Sequence, residues 1–334
     1  MTNQQSIQKT GATKIISLIV SLLILGAIYW KIDLHQLIEV FKNCQSGWMV
    51  VSLGMVVPLT MLTSWRLQQL MPRGQTLGFG EANRLILAAS VLNMLLPSKM
   101  GDIAKAYFMK QRGHLDGSLS LSLVVFEKAC DLLSLLLWCA FGLILYPAKD
   151  WLFWIMTSSV AFGLVTGILL LSSSKISQRF FNIAVKIAPN KIASKLESLQ
   201  VSWLEMQNYF WSNKEQLAKI TMVSIFIWFL HLLQIWLFIL ALKAWTPFLA
   251  NLALSPLAIL AGLLPLTFAG IGTRDAALIA FYQPYFDAPT AAALALLCTS
   301  RYLLPALGGL PFLGQYLVKD SQEYQVSQGQ ETVT

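Results

Sequence analysis

Charge is scarce in this chain. Lys, Arg, Asp and Glu together make up 12% of its 334 residues, about half the roughly 25% of an ordinary soluble domain. That shortage, with a mean hydropathy of +0.62, excludes a soluble multidomain protein. Cysteine is sparse too. Cys44, Cys130, Cys139 and Cys298 show no Cys-x-x-Cys spacing, so neither a zinc site nor a disulfide framework is expected, and the three in apolar runs read as small hydrophobes. The three His are isolated. His231, inside an apolar run, is expected to bond a neighbour rather than to ligate or relay a proton. A nucleotide-binding motif, an Asp-Asp-x-x-Asp-like run and a nucleophile–base arrangement are all missing, so no cofactor or metal is implied.

Apolar sequence is abundant: hydrophobic residues are 56% of the chain. Runs at 13–30, 47–64, 118–146, 151–171, 220–242 and 290–317 approach or exceed the roughly 20 residues a bilayer needs. They predict an all-α polytopic membrane protein with about six full spans. The first run follows Lys9 and Lys14 but lacks a small-x-small cleavage site before Trp30, so it reads as a retained anchor rather than a secretory signal. The expected organisation is a cytoplasmic N-terminus at 1–12, one membrane domain over 13–318 and a polar, disordered tail at 319–334. A net charge of +8 would suggest nucleic acid in a soluble protein. Here it fits cytoplasmic Lys and Arg facing anionic inner-leaflet lipids, and no nucleic acid partner is expected.

Two apolar segments are interrupted. One spans 81–97, carries Arg84 and Asn93, and ends Leu95-Leu96-Pro97 before Lys99 and Gly101. The other spans 249–265 and ends Leu263-Leu264-Pro265 before Gly270, Gly272 and Arg274-Asp275. Short segments broken by Pro and Gly in corresponding halves point to a transporter's binding site, and irregular backbone at membrane depth must be satisfied by protein or a wet cavity. Each is expected to form a broken or re-entrant hairpin. With the N-terminus inside, the loop holding Arg66, Arg73 and Arg84 counts as cytoplasmic, as do Lys99, Lys105, Lys110 and Arg112. The basic stretch from Lys175 to Lys219 also counts as inside. The hairpins then enter from opposite faces, which makes the fold a candidate inverted repeat with both termini in the cytoplasm. Within the basic stretch, 175–215, Ile176, Phe180, Ile183 and Ile187, then Trp203, Met206 and Phe210, recur at helical spacing. They predict an amphipathic helix pair on the inner leaflet or across the bundle's base, with a brief coiled-coil contact as the rival.

The run at 118–146 holds Glu127, Lys128 and Asp131. Each charge at bilayer centre costs on the order of 2.5–3.5 kcal/mol on insertion scales. Glu127 and Asp131 are one turn apart and share a face, which must look into the bundle or a wet cavity. That face is either a substrate or ion pathway or a structural ion pair. Near the breaks, Lys99, Lys105 and Arg274 suit a phosphate headgroup, Arg by forked hydrogen bonds and Lys as a point charge, with glycines letting backbone N–H groups approach an anion. The bland reading is interfacial anchoring, which is preferred for Lys110 and Arg112. Gly270-x-Gly272 alone is not a dinucleotide fingerprint.

Asn93-x-x-x-Pro97-x-x-x-Gly101-Asp102-x-x-Lys105, then Glu127-Lys128-x-x-Asp131, then Gly270-x-Gly272-x-Arg274-Asp275 resembles the flippase-like family that includes the membrane domain of lysylphosphatidylglycerol synthases. The resemblance covers about 15–318. It departs by conservative swaps, with Asp102 and Asp275 in place of Glu and Lys105 and Lys128 in place of Arg. What it implies is a stand-alone membrane member without the soluble aminoacyl-transfer domain, located in the cell membrane. The expected function is therefore translocation of a phospholipid or a polyprenyl-phosphate-type lipid, not an enzymatic reaction, with Glu127 and Asp131 holding Lys128, Lys105 or Arg274. The alternatives are a non-transporting partner of a separate lipid or glycan synthase and, less favoured, a membrane enzyme acting on phospholipids.

Overall fold

Long apolar runs leave the backbone no water to bond with, so they close their own hydrogen bonds as helices. The chain is seen in a computed structural model that describes residues 26, 34–72, 74–95, 101–112, 114–146, 149, 151–263, 267 and 271–331. The run at 13–30 falls outside them but for Gly26. The described elements are α1 (Leu34–Lys42), α2 (Ser46–Gly54), α3 (Val56–Gln69), α4 (Phe79–Leu95), α5 (Gly101–Gln111), α6 (Gly117–Leu145) and α7 (Trp151–Ser172). They continue with α8 (Ser174–Ile187), α9 (Asn190–Ser212), α10 (Lys214–Ala241), α11 (Phe248–Gly262), α12 (Thr273–Tyr282) and α13 (Ala288–Glu331). No strand occurs among the described residues. This is an all-α polytopic membrane protein.

Five stretches of described helix are long and apolar enough to cross a bilayer: Ser46–Gln69, Gly117–Leu145, Phe153–Ser172, Lys214–Ala241 and Ala288–Tyr316. The first is α2 and α3 with a break between them. Pro58 has no N–H, and its ring conflicts with the carbonyl four residues back, that of Gly54, where α2 ends. In α7 only 6% of the apolar window is buried, against 44% in α10 and 50% in α13. Hence α10 and α13 form the centre and α7 lies at the lipid-facing edge. Beyond its span α13 continues to Glu331, so the tail expected to be disordered is helical that far, in keeping with its Gln and Glu content.

The two interrupted segments are helix pairs, α4 with α5 and α11 with α12, each followed by a long helix, α6 and α13. Packing crosses between these units: α4 lies most extensively against α13, and α11 against α6. Both crossings bring backbones into near contact. A Cβ on Gly309 would stand 2.1 Å from the Leu87 carbonyl oxygen, and one on Gly142 would stand 2.4 Å from that of Ala253. Small residues at such crossings are the usual device of membrane helices, which have little hydrophobic drive to pack.

The amphipathic pair forms as α8 and α9, which pack on each other. Trp203, Met206 and Phe210 are buried, and Phe210 stacks on Phe126 of α6 with ring centroids 4.6 Å apart. The apolar stripe of α9 therefore braces the bundle, while Phe180, Ile183 and Ile187 of α8 stay exposed. Two apolar clusters fill the interior. One gathers Leu123, Val124 and Phe126 with Leu313 and Tyr316; the other gathers Leu135, Cys139 and Leu143 with Leu232, Leu294 and Cys298. Between them, along α6, α10 and α13, lies a polar layer.

Candidate functional site

Glu127 and Asp131 anchor that layer. At 1.5 Å per residue they lie about 15 and 21 Å from the start of α6, near the middle of a roughly 30 Å hydrocarbon core. Glu127 is 1% exposed, and its carboxylate meets Lys105 Nζ of α5 and, at 3.1 Å, Nη2 of Arg66 from α3. The Arg66 guanidinium also forks onto Asp131, with Nη1 2.5 Å from Oδ1 and Nη2 3.2 Å from Oδ2. Nη1 further donates to Ser224 Oγ of α10 at 3.0 Å. Lys128 Nζ completes the set, 3.4 Å from Asp131 and 3.3 Å from Asp102. The order Lys105, Glu127, Arg66, Asp131, Lys128, Asp102 thus alternates in sign. Three cations face three carboxylates, and this set of six is neutral as a whole.

These groups open onto a cavity of about 250 Å³. Of the candidate headgroup residues, Asn93, Asp102, Lys105, Glu127, Lys128, Asp131 and Arg274 line it. Lys99, Pro97, Pro265 and Gly270 lie outside the described residues. Gly101 opens α5 against α4 at a spacing that only glycine permits, since a Cβ there would stand 2.3 Å from the Ala89 carbonyl oxygen and 2.5 Å from the Asn93 amide nitrogen. That approach carries Asp102 and Lys105 to the cavity wall. Asn93 Oδ1 is buried beside Gly101 with no hydrogen-bond partner among the described residues.

The second break is built differently. Gly272 has φ 111°, a left-handed conformation costly for any residue with a Cβ, and its N–H donates to Asp275 Oδ2 at 3.1 Å, capping α12. Arg274 is 3% exposed. Its Nε and Nη2 donate to Asp275 Oδ1 at 2.9 and 2.5 Å, Nη2 also donates to Thr299 Oγ1 at 2.6 Å, and Nη1 reaches the Cys298 carbonyl at 3.5 Å. Arg274 is thus held by Asp275 and α13. The carboxylates of α6 take Lys105, Lys128 and Arg66 instead.

Arg66 is the largest departure from the sequence reading. Counted there as a loop cation, it is 2% exposed and central to the charge chain. Its position just past the end of an apolar run carried no signal of this. Arg301 was also missed, although its place in the middle of the run at 290–317 marks it by the same rule that singled out Glu127. It is 5% exposed and lines the cavity. Pro305, one turn further on, has no N–H, so the Arg301 carbonyl has no helical donor. Among the described residues no cluster of three or more His, Cys, Asp or Glu side chains is placed to hold a metal ion. What the site offers chemically is charge and hydrogen bonding in a walled cavity.

The family model described as "Lysylphosphatidylglycerol synthase TM region" matches residues 14–309. A UPF0104 membrane protein of Methanocaldococcus jannaschii is 23% identical over 325 residues, covering 91% of this chain and 94% of the relative.

Proposed function

The chain belongs to the lysylphosphatidylglycerol synthase TM region family, and from that premise we propose that it translocates a phospholipid or a lipid-linked phosphate intermediate between membrane leaflets. The observation that carries this reading is the charged cavity between two apolar cores at mid-span depth. Intramembrane charges around a cavity mark a polar pathway more often than a structural lock. The headgroup would lie between the helix pairs α4–α5 and α11–α12, with the acyl tails left in lipid. Movement would follow alternating access of two oppositely inserted repeats. In this reading the chain is a translocator rather than an enzyme, both termini are cytoplasmic, and residues 13–318 act as one domain with the α8–α9 pair at its cytoplasmic base. With no nucleotide-binding motif in the sequence, movement is downhill or ion-coupled.

The test is a leaflet-exchange assay. The full chain is reconstituted into liposomes carrying labelled anionic phospholipid or polyprenyl phosphate, and outer-leaflet label is quenched chemically. Exchange should exceed that of protein-free vesicles for at least one of the two lipids. Equal rates for both, with a separate lipid or glycan synthase co-purifying and losing activity when the chain is deleted, would move the assignment to a synthase partner.

A further inference from the structure

Among the described residues, the charges around the cavity do not cancel. Lys105, Arg66 and Lys128 are matched by Glu127, Asp131 and Asp102, and Arg274 is matched by Asp275. Arg301 alone among the described cations lining the cavity has no carboxylate. Arg301 is 5% exposed, and its Nε and Nη1 have no hydrogen-bond partner among the described residues. Nη2 reaches only the Tyr302 hydroxyl, at 3.0 Å, and the guanidinium carbon lies 5.0 Å from that ring's centroid. A buried cation with two idle donors is costly in a low-dielectric interior unless an anion joins it. Counting 13 residues from Ala288, Arg301 sits about 20 Å into α13, level with the α6 carboxylates.

We propose that Arg301 is the anion-binding residue of this cavity, taking a phosphate group through its unpartnered guanidinium donors, with the Arg274–Asp275 pair as a positioning element. A guanidinium offers several N–H donors in one plane around a delocalised charge, which the point charge of a lysine cannot reproduce. The inference deepens the translocator reading and rests on it for the phosphate's being that of a lipid. The site would be electrically complete only when loaded. Arg274 reaches Thr299 while Arg301 lies two residues further along α13, so the pair fixes this part of the helix against α12 and sets where the unpartnered donors face.

The full chain is held in nanodiscs of zwitterionic lipid and titrated with three probes: dihexanoyl phosphatidylglycerol, dihexanoylglycerol and inorganic phosphate. Binding is followed by the fluorescence of Trp228, which lines the cavity. The phosphatidylglycerol should bind saturably. Arg301→Gln should weaken it by about tenfold or more, and Arg301→Lys by less. Dihexanoylglycerol, which lacks the phosphate, should respond identically in wild type and variant. Wild-type affinity in Arg301→Gln overturns the proposal. So does an unloaded Arg301→Gln that melts several degrees below wild type, because the guanidinium would then be structural; removing an unpaired buried charge should leave the melting temperature equal or higher. Inorganic phosphate that binds as tightly and blocks the lipid would keep Arg301 as the anion site and overturn the lipid as its source. Arg301-dependent binding in a protein that moves no lipid would sink the translocator reading alone.

Discussion

Arg66→Gln is the sharpest perturbation of this molecule. The side chain is 2% exposed and donates to Glu127, Asp131 and Ser224. Gln keeps much of the length but neither the charge nor the fork, so the six-group chain becomes a buried set with one negative charge in excess. Three charge-assisted hydrogen bonds to carboxylates give way to at most one from the Gln amide, a net loss of about two, each worth about 1.5–3 kcal/mol. That sum agrees with the roughly 3–5 kcal/mol seen when one partner of a buried ion pair is removed. Arg66→Lys keeps the charge but reaches one carboxylate well rather than two, so about half that loss is expected. The measurement is thermal unfolding of the purified full chain in one detergent, followed by tryptophan fluorescence. With roughly 2–4 °C per kcal/mol for a chain of this order of size, Arg66→Gln should melt about 6–20 °C below wild type. Pairing it with Asp131→Asn should give a coupling of about 0.5–3 kcal/mol, because the second change removes a carboxylate whose guanidinium partner the first has already taken away. A variant melting within a degree of wild type, or strictly additive losses, would refute the claim that this guanidinium holds the α6 carboxylates together.

Other expectations follow from the same geometry. Arg274→Ala should lower stability by about 3–5 kcal/mol, because it strands Asp275 in a buried position; a melting temperature unchanged by the substitution would count against the pairing. Gly101→Ala should lower stability by about 1–3 kcal/mol through overpacking, since the added methyl meets the α4 backbone, whereas Gly80→Ala, with open space around it, should be silent; equal behaviour of the two would argue against close α4–α5 contact. In a cysteine-free background, Met100→Cys and Ile271→Cys should be labelled from opposite sides of the membrane, and same-side labelling of both would end the inverted-repeat reading.

The spans were legible because a bilayer imposes one simple demand, sustained apolarity, and runs such as 220–242 meet it without reference to any neighbour. The face carrying Glu127 and Asp131 was legible for the same reason, since the two residues offend that demand together. Their partners were not. Whether a carboxylate on α6 meets Arg274 or Arg66 depends on how α3 and α12 are brought alongside it, and that is settled by backbone contacts at positions such as Gly101 and by the turn at Gly272. Arg66 shows the blind spot most clearly. At the end of an apolar run a cation is ordinary interface chemistry, and only the kink at Gly54 and Pro58, with α10 packed alongside, turns it inward. Arg301 is the opposite case, a residue whose position was informative and was passed over in favour of the more conspicuous glycine motif.

The crossed packing of the two halves limits how this protein can move. Leu87 of the first half presses its carbonyl on Gly309 of the second, and Ala253 of the second does the same to Gly142 of the first. Each half therefore grips the other's long helix, like two hands clasping opposite wrists. Parting them as jaws would undo both grips at once, with backbone polar groups exposed to lipid as the immediate cost. A compliant joint would have to lie within the clasp instead, and among the described residues the kink between α2 and α3 is placed to be one. Under the proposed translocation, a cargo would pass by small tilts of short helices within the clasped frame.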